Sequence, residues 1–419
     1  MSSAFTRDTF RGPPMNIEAV RFIDRWIGVP FCFALSGVRV VSAALRRHKK
    51  NSGTVRKIAF IKLSELGAII LAYPLMASVR KEYPGAEFFF VTFDQNKDFF
   101  TVQNDIVPEA NVLTIRATPF SLIPDTLRAI SRLRRERVDI IFDLEFFSRF
   151  SVLIAYAARA EKRAGFHAYT LEGLYRGDLL THRIQYNLER HVAENYVSLG
   201  REIARTDKHT PQFLRNTGDG EMIFPKYASN GYARERLFAL LRERRIDAAG
   251  KRLFLINPGE GVLPLREWPV ENFILLSRRI ASDPQNYIIV IGSAGAAEKA
   301  GRIVQAVRDG RCADLSGRTG LAELLELFTV SDALISNDCG LAHVGMLTPV
   351  KKFIIFGPES PRAFGPPGDN TWFLYSQWPC SPCFSVLNHR KSACTDNVCL
   401  KAITPEYVVD VIMKHTQLP

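Results

Sequence analysis

A chain of 419 residues, 47% hydrophobic and 23% charged, has the make-up of ordinary globular material and the length for two domain-sized cores. Of its net charge of +12, +8 falls in residues 1–57, where 11 Lys and Arg stand against 3 Asp and Glu, so the remainder is only mildly basic. That distribution argues against a nucleic-acid groove spread over a folded domain and for an N-terminal segment facing an anionic membrane surface, a basic arm for RNA being the alternative.

The first element in chain order is the apolar run Trp26–Leu45. It has about the length of a bilayer span, but Arg39 interrupts it, Pro30 and Gly37 weaken it as a helix, and Arg or Lys flank both ends. It reads as an interfacial or re-entrant anchor, embedded rather than spanning, with a core helix packed on the body as the alternative. A cleaved signal peptide fits poorly, because the run starts late and no small-residue cleavage site follows closely. Residues 1–52 are therefore expected to form a membrane-associated helical segment.

Residues 53–230 read as a first domain. Lys57–Leu63 is a buried-strand run, a periodic helix is expected from about 68 to 82, and a strand covers Glu87–Phe93 after the turn Pro84–Gly85. Val112–Ile115 and Val138–Leu144 are further strands flanking an Arg-rich helix near 121–137, whose arginines read as a solvated face. Residues from about 205 to 250 are polar, contain Gly218, Gly220 and Pro225, and are read as the irregular connection to a second domain, residues 231–419. There alternation restarts. Strands are expected at Leu253–Asn257, Tyr287–Ile291, Ala333–Ser336 and Lys352–Phe356, with helices near 270–281, 296–307, 321–329 and 341–347. The fold class is α/β, with two Rossmann-like doubly wound domains facing a cleft and ligands at the carboxyl ends of the strands.

The segment Ser336–Asn337–Asp338–Cys339–Gly340–Leu341–Ala342–His343 lies where a strand ends and a helix begins, a geometry suited to an anion. Gly340 permits close backbone approach, and Asp338 either caps the helix or binds a sugar hydroxyl. An ordinary N-cap beside a core histidine is the plainer account of the octapeptide alone. Its company is informative: Asn257–Pro258–Gly259–Glu260–Gly261, Arg266–Glu267–Trp268–Pro269, Leu315–Ser316–Gly317–Arg318–Thr319 and Phe356–Gly357–Pro358–Glu359 stand in order around it.

This order resembles the heptosyltransferase family, glycosyltransferase family 9, over about residues 56–415. The resemblance implies the two-domain GT-B type and inverting transfer of a sugar from a nucleotide-diphosphate donor, usually ADP-heptose. It implies that Arg266, two places before Trp-Pro, binds donor phosphate, where lysine is common in the family. The family's Asp-Thr-Gly-x-x-His segment maps onto Asp338, Cys339, Gly340, Leu341 and His343, with Cys339 departing from threonine. Gly259, Gly317 and Thr319 are implied to lie near the nucleotide, a simple turn being the alternative at Gly317.

The opening loop Lys62–Leu63–Ser64–Glu65–Leu66–Gly67–Ala68 resembles the family loop in which an Asp directly after Leu-Gly is the catalytic base. Here that position is Ala68, which cannot accept a proton. Glu65, in the same loop, is the preferred base, and Asp143, at the end of another strand, is the fallback. Lys62 and His191, placed on a helix with Arg190, are acceptor-side candidates; an exposed lysine and a packed histidine are the plainer readings.

Four of the seven cysteines cluster as Cys380–x2–Cys383–x10–Cys394–x4–Cys399, a spacing compatible with a closed structural zinc site or with free thiols or a redox pair. The odd total, with a nucleotide-sugar site, points to a reducing cytosol. The expectation is an inverting glycosyltransferase at the cytoplasmic face of the inner (plasma) membrane, peripheral or monotopic. It acts on a lipopolysaccharide or other lipid-linked glycan acceptor, requires no cofactor and binds no nucleic acid. An inactive nucleotide-sugar-binding scaffold and a nucleotide-sugar epimerase or hydrolase are the alternatives.

Overall fold

Two separate six-stranded parallel sheets organise the chain, and both have the same doubly wound order, β3-β2-β1-β4-β5-β6 and β9-β8-β7-β10-β11-β12. The structure, a computed structural model, describes residues 22, 24–45, 54–167, 175–204, 222–259, 263–307, 310–388 and 390–416. The chain divides into two compact units. Unit 1 comprises residues 1–65, 74–187 and 193–222; unit 2 comprises 66–73, 188–192 and 223–419.

In unit 1 the strands are β1 (Lys57–Ile61), β2 (Glu87–Phe93), β3 (Val112–Ile115), β4 (Ile140–Asp143), β5 (Lys162–Phe166) and β6 (His182–Ile184). With α1 as Gly28–Leu45 and α2 as Leu66–Leu71, its later helices are α3 (Tyr73–Glu82), α4 (Lys97–Val102), α5 (Leu122–Glu136), α6 (Arg149–Ala157) and α7 (Val192–Ile203). A parallel sheet is covered on both faces, so its strands are apolar throughout rather than alternating. Phe60, Phe88, Phe90 and Phe142 are fully buried, and the Phe60 ring meets those of Phe88 and Phe142 at 5.3 Å. Each such side chain contributes roughly 1.5–3 kcal/mol by leaving water.

The single helix expected over 68–82 is two helices, with the break at Ala72. Pro74 disfavours helical geometry in the residue before it and lacks the N–H that would continue the ladder, but suits the first turn of α3. α1 docks on unit 1 by polar fastenings. The Asp24 carboxylate accepts from the backbone N–H of Arg149 (2.9 Å) and Phe150 (3.1 Å), closing the start of α6. Ser36 Oγ accepts from Asp178 N at 2.7 Å, and Gly177 has φ 66°, where a Cβ would lie 2.6 Å from Cys32 O. Among the described residues no helix is long and apolar enough to cross a membrane.

Unit 2 contains α2, then β7 (Arg252–Asn257), β8 (Asn286–Val290), β9 (Cys312–Asp314), β10 (Ala333–Asn337), β11 (Lys351–Phe356) and β12 (Thr371–Tyr375). Its other helices are α8 (Gly231–Glu243), α9 (Val270–Ala281), α10 (Ala297–Ala306), α11 (Leu321–Thr329), α12 (Gly340–Val344), α13 (Pro361–Phe364), α14 (Val398–Lys401) and α15 (Pro405–Thr416). α8 corrects the expectation of an irregular connection up to residue 250: Asn230 caps it, accepting from Tyr232 N and Ala233 N. Residues 205–221 of that connection lie outside the described residues. α15 sets Val408 and Ile412 against Leu276 and Ile280 of α9 in the core of the unit.

Candidate active site

Where the strand order of a doubly wound sheet reverses, the loops leaving adjacent carboxyl ends open a crevice. In unit 2 this point lies between β7 and β10, paired through Asn257 and Ser336. The β7 loop carries Gly259 at φ 89°, and a Cβ there would lie 2.5 Å from Glu267 Oε1. Residues 260 and 261 of this loop lie outside the described residues. Asn337 fastens the two loops together: its Nδ2 donates to Pro258 O (3.0 Å) and its Oδ1 accepts from Trp268 N (2.9 Å). Trp268 Nε1 donates to Ile403 O at 2.8 Å, so Arg266 is carried two residues from a buried anchor.

Arg266 Nη2 lies 2.7 Å from Asp338 Oδ2 and 3.0 Å from Glu359 Oε2, while Arg390 Nε lies 2.5 Å from Glu359 Oε1. Both acids are buried. Burial pushes the Glu359 carboxyl up to about 8, with Arg266 opposing and Asp338 reinforcing. Burial alone would lower the Arg266 guanidinium, but the carboxylates of Asp338 and Glu359 outweigh it and hold it above its ordinary value. Arg266 Nε is buried without a hydrogen-bond partner among the described residues. Glu359 and Arg390 were not singled out from sequence; an acid following Gly-Pro at a strand end was the available signal for the first, and none marked the second.

Cys339 is the N-cap of α12 in extended conformation and makes no side-chain capping bond, and a Cβ on Gly340 would meet no atom within 4 Å. The helix expected over 341–347 is shorter: five α residues and a 3-10 turn, Gly345–Leu347. Its dipole is correspondingly small, leaving the first-turn N–H groups as its main attraction for an anion. Burial pushes the His343 imidazole down to about 4, against Asp338 and with help from His191 and Arg266, so the ring is neutral at pH 7. Its Nδ1 is buried without a partner among the described residues. The ring abuts Gly67 of α2, where a Cβ would lie 2.4 Å from His343 Cδ2, and Ala68 follows directly.

The switch point of unit 1 lies between β1 and β4, where Ile61 pairs with Asp143. Lys62 is buried, which corrects the solvent-exposed reading: its Nζ lies 2.9 Å from Glu145 Oε2 and 3.7 Å from Glu65 Oε2. Glu145 also accepts from Leu63 N at 2.7 Å, so it shapes the loop that ends in Glu65. Glu65 sits at φ 69° with its side chain partly exposed. A non-glycine residue there costs about 1–2 kcal/mol. Asp143 is corrected as a base: it is wholly buried, accepts from Ser151 Oγ at 3.0 Å and pairs with the buried Arg176. Burial raises its carboxyl against the pull of Arg176, and no side of it faces solvent.

The model of glycosyltransferase family 9 (heptosyltransferase) matches residues 126–393, more than half of the chain. The chain belongs to glycosyltransferase family 9. Among characterised members, lipopolysaccharide heptosyltransferase 2 of Escherichia coli K12 is 26% identical over 244 residues, 56% of this chain and 64% of that protein. Lipooligosaccharide heptosyltransferase 2 of Haemophilus ducreyi is 23% identical over 320 residues, 74% of this chain and 86% of its own. The same-named protein of Campylobacter jejuni serotype O:6 is 26% identical over 173 residues, 39% and 52% of the two chains. The chain thus spans about half the length of the first curated relatives it matches. In fold, it superposes on the solved E. coli ADP-heptose lipopolysaccharide heptosyltransferase II with a TM-score of 0.65 at 18% identity, covering 86% of this chain and 98% of that one. A Veillonella parvula family 9 structure gives 0.68 at 17% identity, covering 87% and 98%.

In this family 9 chain the structure brings Arg266, Asp338 and His343 into one neighbourhood. Gly317, at φ 67°, allows the turn after β9 to pass Ala294, whose backbone N would lie 2.9 Å from a Cβ there. Thr319 is half-buried in the same turn. His191 precedes α7 instead of lying on a helix, and its Nε2 bonds Gly365 O at 3.0 Å.

Cys380, Cys383, Cys394 and Cys399 line one small pocket. Among the described residues no three His, Cys, Asp or Glu side chains are placed to hold a metal. The Cys394 thiol instead donates to Asp396 O at 3.2 Å, and Cys399 is buried while Cys380 is exposed. The segment braces the arginine cluster, since Cys383 N and Phe384 N both donate to Pro358 O, at 2.9 and 2.8 Å, beside Glu359.

Proposed function

We propose that the chain is an inverting heptosyltransferase that moves a heptose from ADP-heptose to a lipopolysaccharide-core or similar lipid-linked acceptor. Family membership and the names of its relatives support the reading, and the arginine cluster with its unpartnered Nε at the β7–β10 switch point carries it. Arg266 and the first-turn N–H groups of α12 would offset the charge of the leaving diphosphate as the C1–O bond to phosphate breaks. The acceptor oxygen forms the new bond at C1 from the opposite face, and its proton passes to Glu65. Glu65 suits this role because its carboxylate is partly exposed and its backbone is held in a costly conformation.

The same reading places the enzyme at the cytoplasmic face of the plasma membrane. Every exposed residue of α1 from Pro30 to Val41 is apolar, whereas Ser36 and Arg39 face the protein. That polarity is the reverse of a water-exposed surface helix and suits one lying in the headgroup boundary.

Calorimetric titration with ADP, UDP, GDP and their sugar conjugates tests the donor assignment; binding selective for ADP and ADP-heptose is expected, and no binding of any would overturn it. Glu65→Gln is expected to abolish transfer while sparing donor affinity. Ala68 favours a second reading, a protein that binds donor without turnover. If unaltered protein binds ADP-heptose but never transfers, and Ala68→Asp creates transfer, that second reading stands.

A further inference from the structure

α5 exposes an apolar surface that the transferase reading does not use. Phe120, just before the helix, is 91% exposed, Ile123 66% and Leu127 60%, with exposed Pro119 and Pro124 beside them. Positions 120, 123 and 127 follow one helical face, and three large exposed side chains on one stripe are unusual where water is the only neighbour. The remainder of the exposed face is basic, through Arg128, Arg134 and Arg135, with Ser131 as the neutral member. The element is thus an apolar tip backed by positive charge.

Its place in the fold says what covers it. Ala129 and Leu133 of α5 and Ile154 and Ala155 of α6 pack on the same sheet residues, Ala59, Ile61, Val91 and Ile141. α1 packs on α6 as well, with Cys32 against Val152 and Gly28 so close to Arg149 that a Cβ would lie 2.8 Å from Arg149 Cβ. α1 and α5 therefore both belong to the helices packed around α6 in unit 1. Both are attended by positive charge, which an anionic lipid surface complements.

We infer that α5 is a second membrane contact, in which Phe120, Ile123 and Leu127 enter the acyl boundary of an anionic bilayer while Arg128 and Arg135 meet headgroups. The inference rests on the membrane placement of α1 proposed above. A second contact besides α1 would fix the rotation of unit 1 about α1, which a single in-plane helix leaves free, and so hold the loop of Glu65 in a constant orientation to the lipid surface.

The test is co-sedimentation of the full chain with vesicles of phosphatidylethanolamine and phosphatidylglycerol. The triple variant Phe120→Ser, Ile123→Ser, Leu127→Ser is expected to lose about tenfold in vesicle affinity with an unchanged melting temperature. Arg128→Glu with Arg135→Glu, a milder change, is expected to weaken binding to these vesicles and leave binding to pure phosphatidylcholine as it was. If both α5 variants bind like the unaltered chain while Phe31→Ser with Phe33→Ser abolishes binding, α5 is no membrane contact and α1 remains one. If the unaltered chain binds no vesicles, the membrane reading itself fails. If the chain is dimeric in solution and the triple variant monomeric, the stripe serves a second copy of this chain and the inference is overturned.

Discussion

Replacing Arg266 by methionine removes a guanidinium whose Nη2 serves two buried acids at 2.7 and 3.0 Å. Asp338 and Glu359 keep 4% and 1% side-chain exposure, so water cannot take its place, and Glu359 retains Arg390 on its other oxygen. Breaking a buried ion pair from one side costs roughly 3–5 kcal/mol, because the partner charge is left uncompensated. The loss has a predictable pH dependence. Burial already pushes the Glu359 carboxyl from 4.5 up to about 8, and the variant removes the Arg266 charge that opposes this shift. The folded variant then binds more protons than the unfolded chain above pH 4.5, so its stability falls as pH rises through that value toward 8 and beyond. Urea unfolding at pH 6 and pH 8 is the assay, with Arg266→Lys, which keeps a charge, as the milder comparison. A loss below about 1 kcal/mol at both pH values would refute the reasoning, since it would mean the acids are solvated. This instability also makes Arg266→Lys, rather than a neutral replacement, the variant for judging donor affinity.

Gly67→Ala is expected to destabilise by about 1–3 kcal/mol through the contact with His343, and adding His343→Ala should restore part of the loss in a double-mutant cycle. Strict additivity would place the strain elsewhere. Gly177→Ala combines a left-handed φ of 66° with a clash at Cys32 O, so amide exchange in α1 should accelerate more than in β1 or β4. A uniform acceleration would count against a docking role. Cys380, exposed, should react first with a thiol reagent, and Cys399, buried with its thiol raised by burial, last. Protein dialysed against zinc and then chelator should keep far less than one equivalent; retention of one per chain would show that the four thiols can gather.

Periodicity made the architecture legible where it was strong. Glu87–Phe93, Val270–Ala281 and Leu321–Thr329 were each expected with the bounds observed. β5 and β6 were missed because charge hides them: Lys162 and Arg163 open one, and the buried Arg163 guanidinium donates to Leu179 O at 2.8 Å and to Ala160 O. α8 was missed because its arginines and glutamate look like solvated loop until Asn230 is seen capping it. At the site, Arg266 and Asp338 were legible through motif order. Glu359 lies in the ordered segment Phe356–Gly357–Pro358–Glu359, but its pairing with Arg390 was not legible, since it joins distant segments.

The choice of base follows from the same rule that makes Arg266 costly to remove. A carboxylate in apolar surroundings persists only with a partner, and a carboxylate so partnered cannot exchange a proton with an incoming hydroxyl without breaking the pair. Asp143 with Arg176, Glu145 with Lys62, and Asp338 and Glu359 with Arg266 all stand at strand ends, and all are committed in this way. Glu65 differs in exposure: its side chain is 37% exposed, against 11% for Glu145, 4% for Asp338, 1% for Glu359 and 0% for Asp143. A conservative swap separates the roles. Glu145→Gln should lower stability by releasing the Lys62 charge and distort the loop, reducing transfer partially, whereas Glu65→Gln should leave stability within about 0.5 kcal/mol and remove transfer. Full activity in Glu65→Gln would leave the strand-end loop of unit 1 without a base and return the chain to the reading of a donor-binding protein.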